Sequence, residues 1–107
     1  MLWNGDFGTL DSCNFVNNTA NVEAGSVWWH GAKGSLSNCV FINNTANKYA
    51  GAVTWEGADG NIRGCTFVGN NATSAGAISV TSKTTNTTII DSNFINNVAK
   101  DDSGAIS

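Results

Sequence analysis

Proline is absent from the 107 residues, 12% of them are charged, and five Lys and Arg face eight Asp and Glu. A net charge of -3 leaves no basic stripe, which argues against a nucleic-acid groove or a patch for anionic membrane. No stretch approaches the roughly 20 consecutive apolar residues of a membrane helix, so no membrane insertion by this segment is expected. The opening Met1-Leu2-Trp3-Asn4-Gly5 also lacks the basic and apolar regions of a signal peptide. There are only three cysteines, an odd count without zinc-motif spacing, which speaks against a disulfide framework and a structural metal. A nucleotide-binding loop and a nucleophile elbow are missing too, and no cofactor is expected.

What the chain does have is repetition. Cys39-Val40-Phe41-Ile42-Asn43-Asn44-Thr45-Ala46 recurs with light variation at Cys13 to Ala20, Cys65 to Ala72 and Ser92 to Ala99. Phe15, Phe41, Phe67 and Phe94 are separated by 26, 26 and 27 residues, the fixed period of a solenoid. A second block, Gly-[Ala/Ser]-[Val/Ile], begins at Gly25, Gly51, Gly76 and Gly104, and an apolar column of Leu10, Leu36, Ile62 and Ile89 keeps the same phase. Short runs such as Val27-Trp28-Trp29 and Cys39-Val40-Phe41 alternate with period 2, as strands do. Gly31 to Gly34 and Gly57 to Gly60 read as turns. These features predict an all-β parallel β-helix of four coils in a single domain spanning 1–107, with like residues stacked about 4.8 Å apart. Met1 is in phase with Val27, Val53, Ile78 and Ile106 and the terminal coils carry no polar caps, so the segment reads as part of a longer array. End-to-end self-association is the rival reading.

Each column yields an expectation. Cys13, Cys39 and Cys65 form one, with Ser92 in the fourth coil, and read as small core residues because a rung spacing of about 5 Å exceeds the usual Cβ separation of a disulfide. Asn18, Asn44, Asn70 and Asn97 read as an amide ladder. Trp3, Trp29 and Trp55, ended by Val80, share the inward parity of Val27 and Val53, whereas Trp28 has the opposite parity. Val16, Ile42, Val68 and Ile95 follow the Phe column directly, and packing at a corner is favoured over an outer strip. The residues that break the repeat are the candidates for ligand contact: Trp28, the adjacent-coil pair His30 and Glu56, and the longer turn from Ser82 to Thr88. Acceptor sites for glycosylation are present at Asn17, Asn43, Asn71 and Asn86.

With its Phe-x-x-Asn and Gly-[Ala/Ser]-[Val/Ile] blocks in four phased copies, the chain resembles the paired repeats of polymorphic outer-membrane-protein passengers. The fuller phrase, Cys before Phe and Asn-Asn-Thr-Ala after it, is similar to the adhesin-like surface proteins of methanogenic archaea. The first Gly of the usual Gly-Gly-Ala-Ile block is replaced by Ala24, Ala50, Ala75 and Ser103. The resemblance implies a right-handed parallel β-helix at the cell surface or outside the cell, without catalytic residues. It further implies attachment to glycans or to surface proteins of a host or neighbouring cell. Pectate-lyase-type enzymes share the architecture, so a non-catalytic portion of a carbohydrate-active protein is the alternative.

Overall fold

The computed structural model describes residues 1–81 and 86–107, and among them there is no helix. The backbone climbs through four coils whose strands, each two or three residues long, pair in parallel with those of the coils above and below. Four sheets result, and each is best named by the residues it turns inward. The Trp sheet holds Leu2–Trp3, Val27–Trp29, Val53–Trp55 and Ile78–Val80. Thr9–Asp11, Ser35–Ser37, Asn61–Arg63 and Thr88–Ile90 make the Leu sheet. The Phe sheet is Asn14–Val16, Val40–Ile42, Thr66–Val68 and Asn93–Ile95. The narrow Ala sheet consists of Thr19–Ala20, Thr45–Ala46, Asn71–Ala72 and Val98–Ala99. Phe15, Phe41, Phe67 and Phe94 are rung partners, so the sequence period is the register of the fold.

The interior is a set of ladders. Val27, Trp29, Leu36, Cys39, Phe41, Val53, Trp55, Ile62, Phe67 and Ile78 are fully buried; in the first and last coils Trp3, Leu10, Cys13, Phe15, Val80, Ile89 and Phe94 are partly so, while Met1 and Ile106 are exposed. The Phe rings stack at 4.8 to 4.9 Å with interplanar angles of 2 to 5°. Trp3, Trp29 and Trp55 stack at 4.9 and 4.8 Å. Burial of rings of this size supplies much of the driving force, since no helix face contributes.

Four residues before each turn ends, a tryptophan decides what may stand five positions later. A Cβ added at Gly8, Gly34 or Gly60 would lie 2.1, 2.3 or 2.3 Å from Nε1 of Trp3, Trp29 or Trp55, so each indole requires a glycine beneath it. Where Val80 replaces the tryptophan, Thr87 occupies the glycine column. The two columns therefore fit each other. Val80→Trp alone is expected to destabilise the fold by overpacking against Thr87, and the added Thr87→Gly to recover that loss, with a coupling of about 1 to 3 kcal/mol in thermal unfolding of the double-mutant cycle.

Three corners place one residue per coil in the left-handed region. Phe7, Lys33, Asp59 and Asn86 form the first such column; Ser12, Asn38, Gly64 and Asp91 the second; Asn17, Asn43, Gly69 and Asn96 the third, all with φ between 50 and 64°. Asn, Asp and Gly dominate because they enter this region most easily. Within each coil these corners recur every five residues, which turns the chain from one sheet to the next.

The β-branched column corrects one expectation. Val16, Ile42, Val68 and Ile95 do not pack at a corner: they alternate with the inward Phe residues and point outward, with Val16 47% and Ile95 49% exposed. The corner begins one residue later, at Asn17 and its equivalents, where φ turns positive. Period-2 alternation holds through the strand, and the apolar character of the outer residue reflects strand preference for β-branching on either face. Of the longer fourth-coil turn, Ser82 to Thr85 lie outside the described residues; beyond them, the Asn86 side chain donates to Asp59 Oδ1 at 3.1 Å.

Candidate functional site

On the outer face of the Trp sheet two columns alternate with the buried ones. One contains Leu2, Trp28, Thr54 and Ser79, and the other Asn4, His30, Glu56 and Thr81. Trp28 stands beside Thr54 in register, yet its indole Nε1 donates to Glu56 Oε1, two residues further along the next coil, at 2.9 Å. That bond draws the ring diagonally across the rung. Thr54, an outward residue by parity, is only 2% exposed, and its hydroxyl has no hydrogen-bond partner. A large ring tethered across the strand accounts for both facts. Trp28 itself stays half-buried, with the rest of its surface open.

His30 completes the group. Its ring meets that of Trp28 edge-on, with centroids 4.6 Å apart and planes at 79°, and its Nε2 lies 3.5 Å from Glu56 Oε2. One carboxylate thus holds the indole through one oxygen and faces the imidazole with the other. The side chains of His30 and Glu56 are 36% and 34% exposed, so solvent or a ligand reaches both. A contact so exposed contributes little to stability. What it does is fix orientation: an aromatic surface, a hydrogen-bond acceptor and a two-faced imidazole are held within one patch. Sequence parity separates Trp28 from the buried Trp29 and brings His30 to Glu56; the indole-to-carboxylate bond across two coils is the part that only the folded geometry supplies.

The cysteine column is buried and all three thiols are free. Cys39 and Cys65 are almost wholly inaccessible, while Cys13 is partly open in the first coil. Loss of solvation pushes the Cys65 thiol up to about 11 from 9.0, and raises that of Cys39 for the same reason. Each thiol is therefore kept protonated in the fold at pH values where the unfolded chain ionises it. Native protein binds more protons than unfolded protein between about 9 and 11, so stability is full below pH 9 and falls as pH rises through that window. Urea unfolding across this range is expected to show a falling midpoint, and a Cys39→Ser/Cys65→Ser variant a flatter profile. Thiol-reactive dye at pH 8 should label Cys13 first.

The amide column is structural. Each ladder Asn accepts, through Oδ1, the backbone N–H and the side-chain Nδ2 of the Asn in the preceding coil, at 2.9 to 3.0 Å. Its own Nδ2 donates to the carbonyl of Phe15, Phe41 or Phe67 in that coil. The four glycosylation acceptors fall elsewhere: Asn17, Asn43, Asn71 and Asn86 are all exposed. Asn17, Asn43 and Asn86 carry positive φ, a role that sequence reading missed and that Gly69, standing in the column of Asn17 and Asn43, signals. Among the described residues no three His, Cys, Asp or Glu side chains gather closely enough to hold a metal ion.

No family model, no curated protein and no solved structure matches the chain.

Proposed function

We propose that this chain is a segment of a non-enzymatic adhesin or stalk at a cell surface or outside the cell, and that it presents a glycan-contact patch formed by Trp28, His30 and Glu56. The observation that carries the reading is the tether from Trp28 Nε1 to Glu56 Oε1, which holds an aromatic ring against an outer sheet face with polar groups at its rim. A flat indole stacks on the C–H face of a sugar ring, while Glu56 Oε2 and the imidazole accept or donate to its hydroxyls. The ladders behind the patch keep it rigid, which lowers the entropy cost of binding. Repetition of coils then serves projection, since each added coil extends the rod by one rung.

The same patch fits the non-catalytic part of a carbohydrate-active β-helix protein, because sugar contact is common to both. A glycan-array screen paired with a reducing-sugar assay on plant and microbial polysaccharides separates them. Glycan binding that Trp28→Ala abolishes, without turnover, is the expected result. Release of reducing ends by the wild-type chain would overturn the non-enzymatic reading, and glycan binding unchanged by Trp28→Ala would overturn the site.

A further inference from the structure

The outer face of the Trp sheet carries a charge that no cation of the described chain answers. Its two outward columns hold Glu56 as their one acidic residue and contain no Lys or Arg. Among the described residues the Glu56 carboxylate meets the Trp28 indole N–H at 2.9 Å and the His30 imidazole at 3.5 Å and nothing else, and its side chain stays 34% exposed. Lys33, in the turn that follows His30, instead places its ammonium over the Phe7 ring, 5.2 Å from the centroid. The net charge of the chain is -3, so no positive field around the patch offsets the carboxylate. The indole is set beside that carboxylate against an opposing cost: it covers Thr54, whose hydroxyl is buried without a partner. In the next coil Ser79 continues the column of Trp28 and Thr54 and is half-buried.

We infer, resting on the sugar-contact reading of this patch, that it selects a glycan with free amino groups, a de-N-acetylated hexosamine, and seats the sugar's ammonium between the Trp28 ring and Glu56. An ammonium is drawn to the negative face of an indole, and a carboxylate at the ring's edge adds Coulomb attraction. Glu56 Oε1 is held by the indole, so Oε2 is the oxygen that accepts an ammonium N–H. The hydroxyls of such a ring have partners in His30, one coil before Glu56, and in Ser79, one coil after it. A lysine side chain brings only methylenes to those two residues, which favours the amino sugar over a basic peptide. An N-acetyl group removes the charge at the same atom and adds bulk there. A sugar carboxylate is repelled by Glu56, so acidic glycans are rejected.

The test is isothermal titration calorimetry of the purified chain with the linear trimers of glucosamine, N-acetylglucosamine and glucose, and with trilysine, which carries as many side-chain amines as the first trimer. The glucosamine trimer is expected to bind about tenfold more tightly than the other three, the order of effect of a cation at an exposed aromatic ring beside one carboxylate. High salt should remove most of that margin. Glu56→Gln keeps an oxygen for the indole N–H and removes the charge, and its affinity for the glucosamine trimer should fall about tenfold, to that of the N-acetylated one. Glu56 is a surface residue, and an unchanged circular dichroism spectrum and melting temperature certify the fold of the variant. Equal affinity of the wild-type chain for the three sugars, the full margin retained by Glu56→Gln, or trilysine bound as tightly as the glucosamine trimer would overturn the amino-sugar inference and leave sugar contact at the patch untouched. Failure of all three sugar trimers to bind would overturn it too, while the wider glycan array decides the sugar-contact reading by itself.

Discussion

Asn70→Ala is expected to unfold the chain, or to leave it stable only at low temperature and without denaturant. Asn70 is fully buried and its side chain takes part in four bonds: Oδ1 accepts from Asn44 N and Asn44 Nδ2, and Nδ2 donates to Phe41 O and Asn97 Oδ1. Alanine strands the Asn44 N–H and the Phe41 carbonyl in an interior where water cannot replace the lost partner. At about 1 to 3 kcal/mol for each unsatisfied buried group, the loss is about 4 kcal/mol or more. Small domains have roughly 5 to 15 kcal/mol in all, and the bonds form one connected chain, so the damage spreads to both neighbouring coils. Asn18→Ala supplies the comparison, because Asn18 is exposed in the first coil and its removal leaves the polar groups around it within reach of water. Urea unfolding followed by tryptophan fluorescence should show a much larger shift for Asn70 than for Asn18. Equal shifts would mean that the ladder contributes no more than a turn does.

Gly51→Ala is expected to be as damaging for a different reason. The new Cβ would lie 2.1 Å from the Gly76 carbonyl oxygen and 2.5 Å from the Asn71 nitrogen, both backbone atoms that no rotamer change can move. The coils would have to separate by more than 1 Å, and with them the rungs whose N–H and C=O groups are paired across that gap. Gly51 N donates to Ala75 O at 3.0 Å and Ala52 N to Ala77 O at 3.1 Å, so the loss begins at the collision itself. Little soluble folded protein should be recovered, whereas Gly104→Ala, with no such carbonyl above it, should give a melting temperature close to that of wild type. The glycine block is thus a spacing requirement more than a turn signal, with negative φ at these positions and close approach as the constraint.

Together the two substitutions explain why the repeat tolerates so little change at some columns and so much at others. An inward column is read by the coil above and the coil below, so Cys13, Cys39 and Cys65 give way only to the small Ser92. In the outward column of Asn14, Val40, Thr66 and Asn93 each side chain faces solvent, and residue type drifts. Trp28, His30 and Glu56 belong to the drifting kind, which is why they stand out against the repeat. The patch of Trp28, His30 and Glu56 is therefore separable from the scaffold: Trp28→Ala removes the tether without opening the core formed by Trp29 and Trp55.

The sequence by itself determined the period, the four coils, the parallel register and the inward identity of the Phe, Cys, Leu and first Trp columns, because a stack repeats the same environment every turn and selects like residues for it. It also showed Trp28 on the opposite side from Trp29, since strand alternation has a period of two. Only the tertiary structure decided where each strand ends. The positive φ at Asn17, Asn43 and Gly69 carries the turn one residue past the β-branched column, and so leaves Val16 and Ile95 outside. It also decided that Asn17, Asn43 and Asn96, the neighbours of ladder asparagines, bend the backbone as Gly69 does in the third coil, a difference of conformation that identical side chains conceal. The site's decisive feature, the Trp28 indole reaching Glu56, is diagonal across two coils; a one-dimensional period aligns residues within a column and carries no information about contacts between columns.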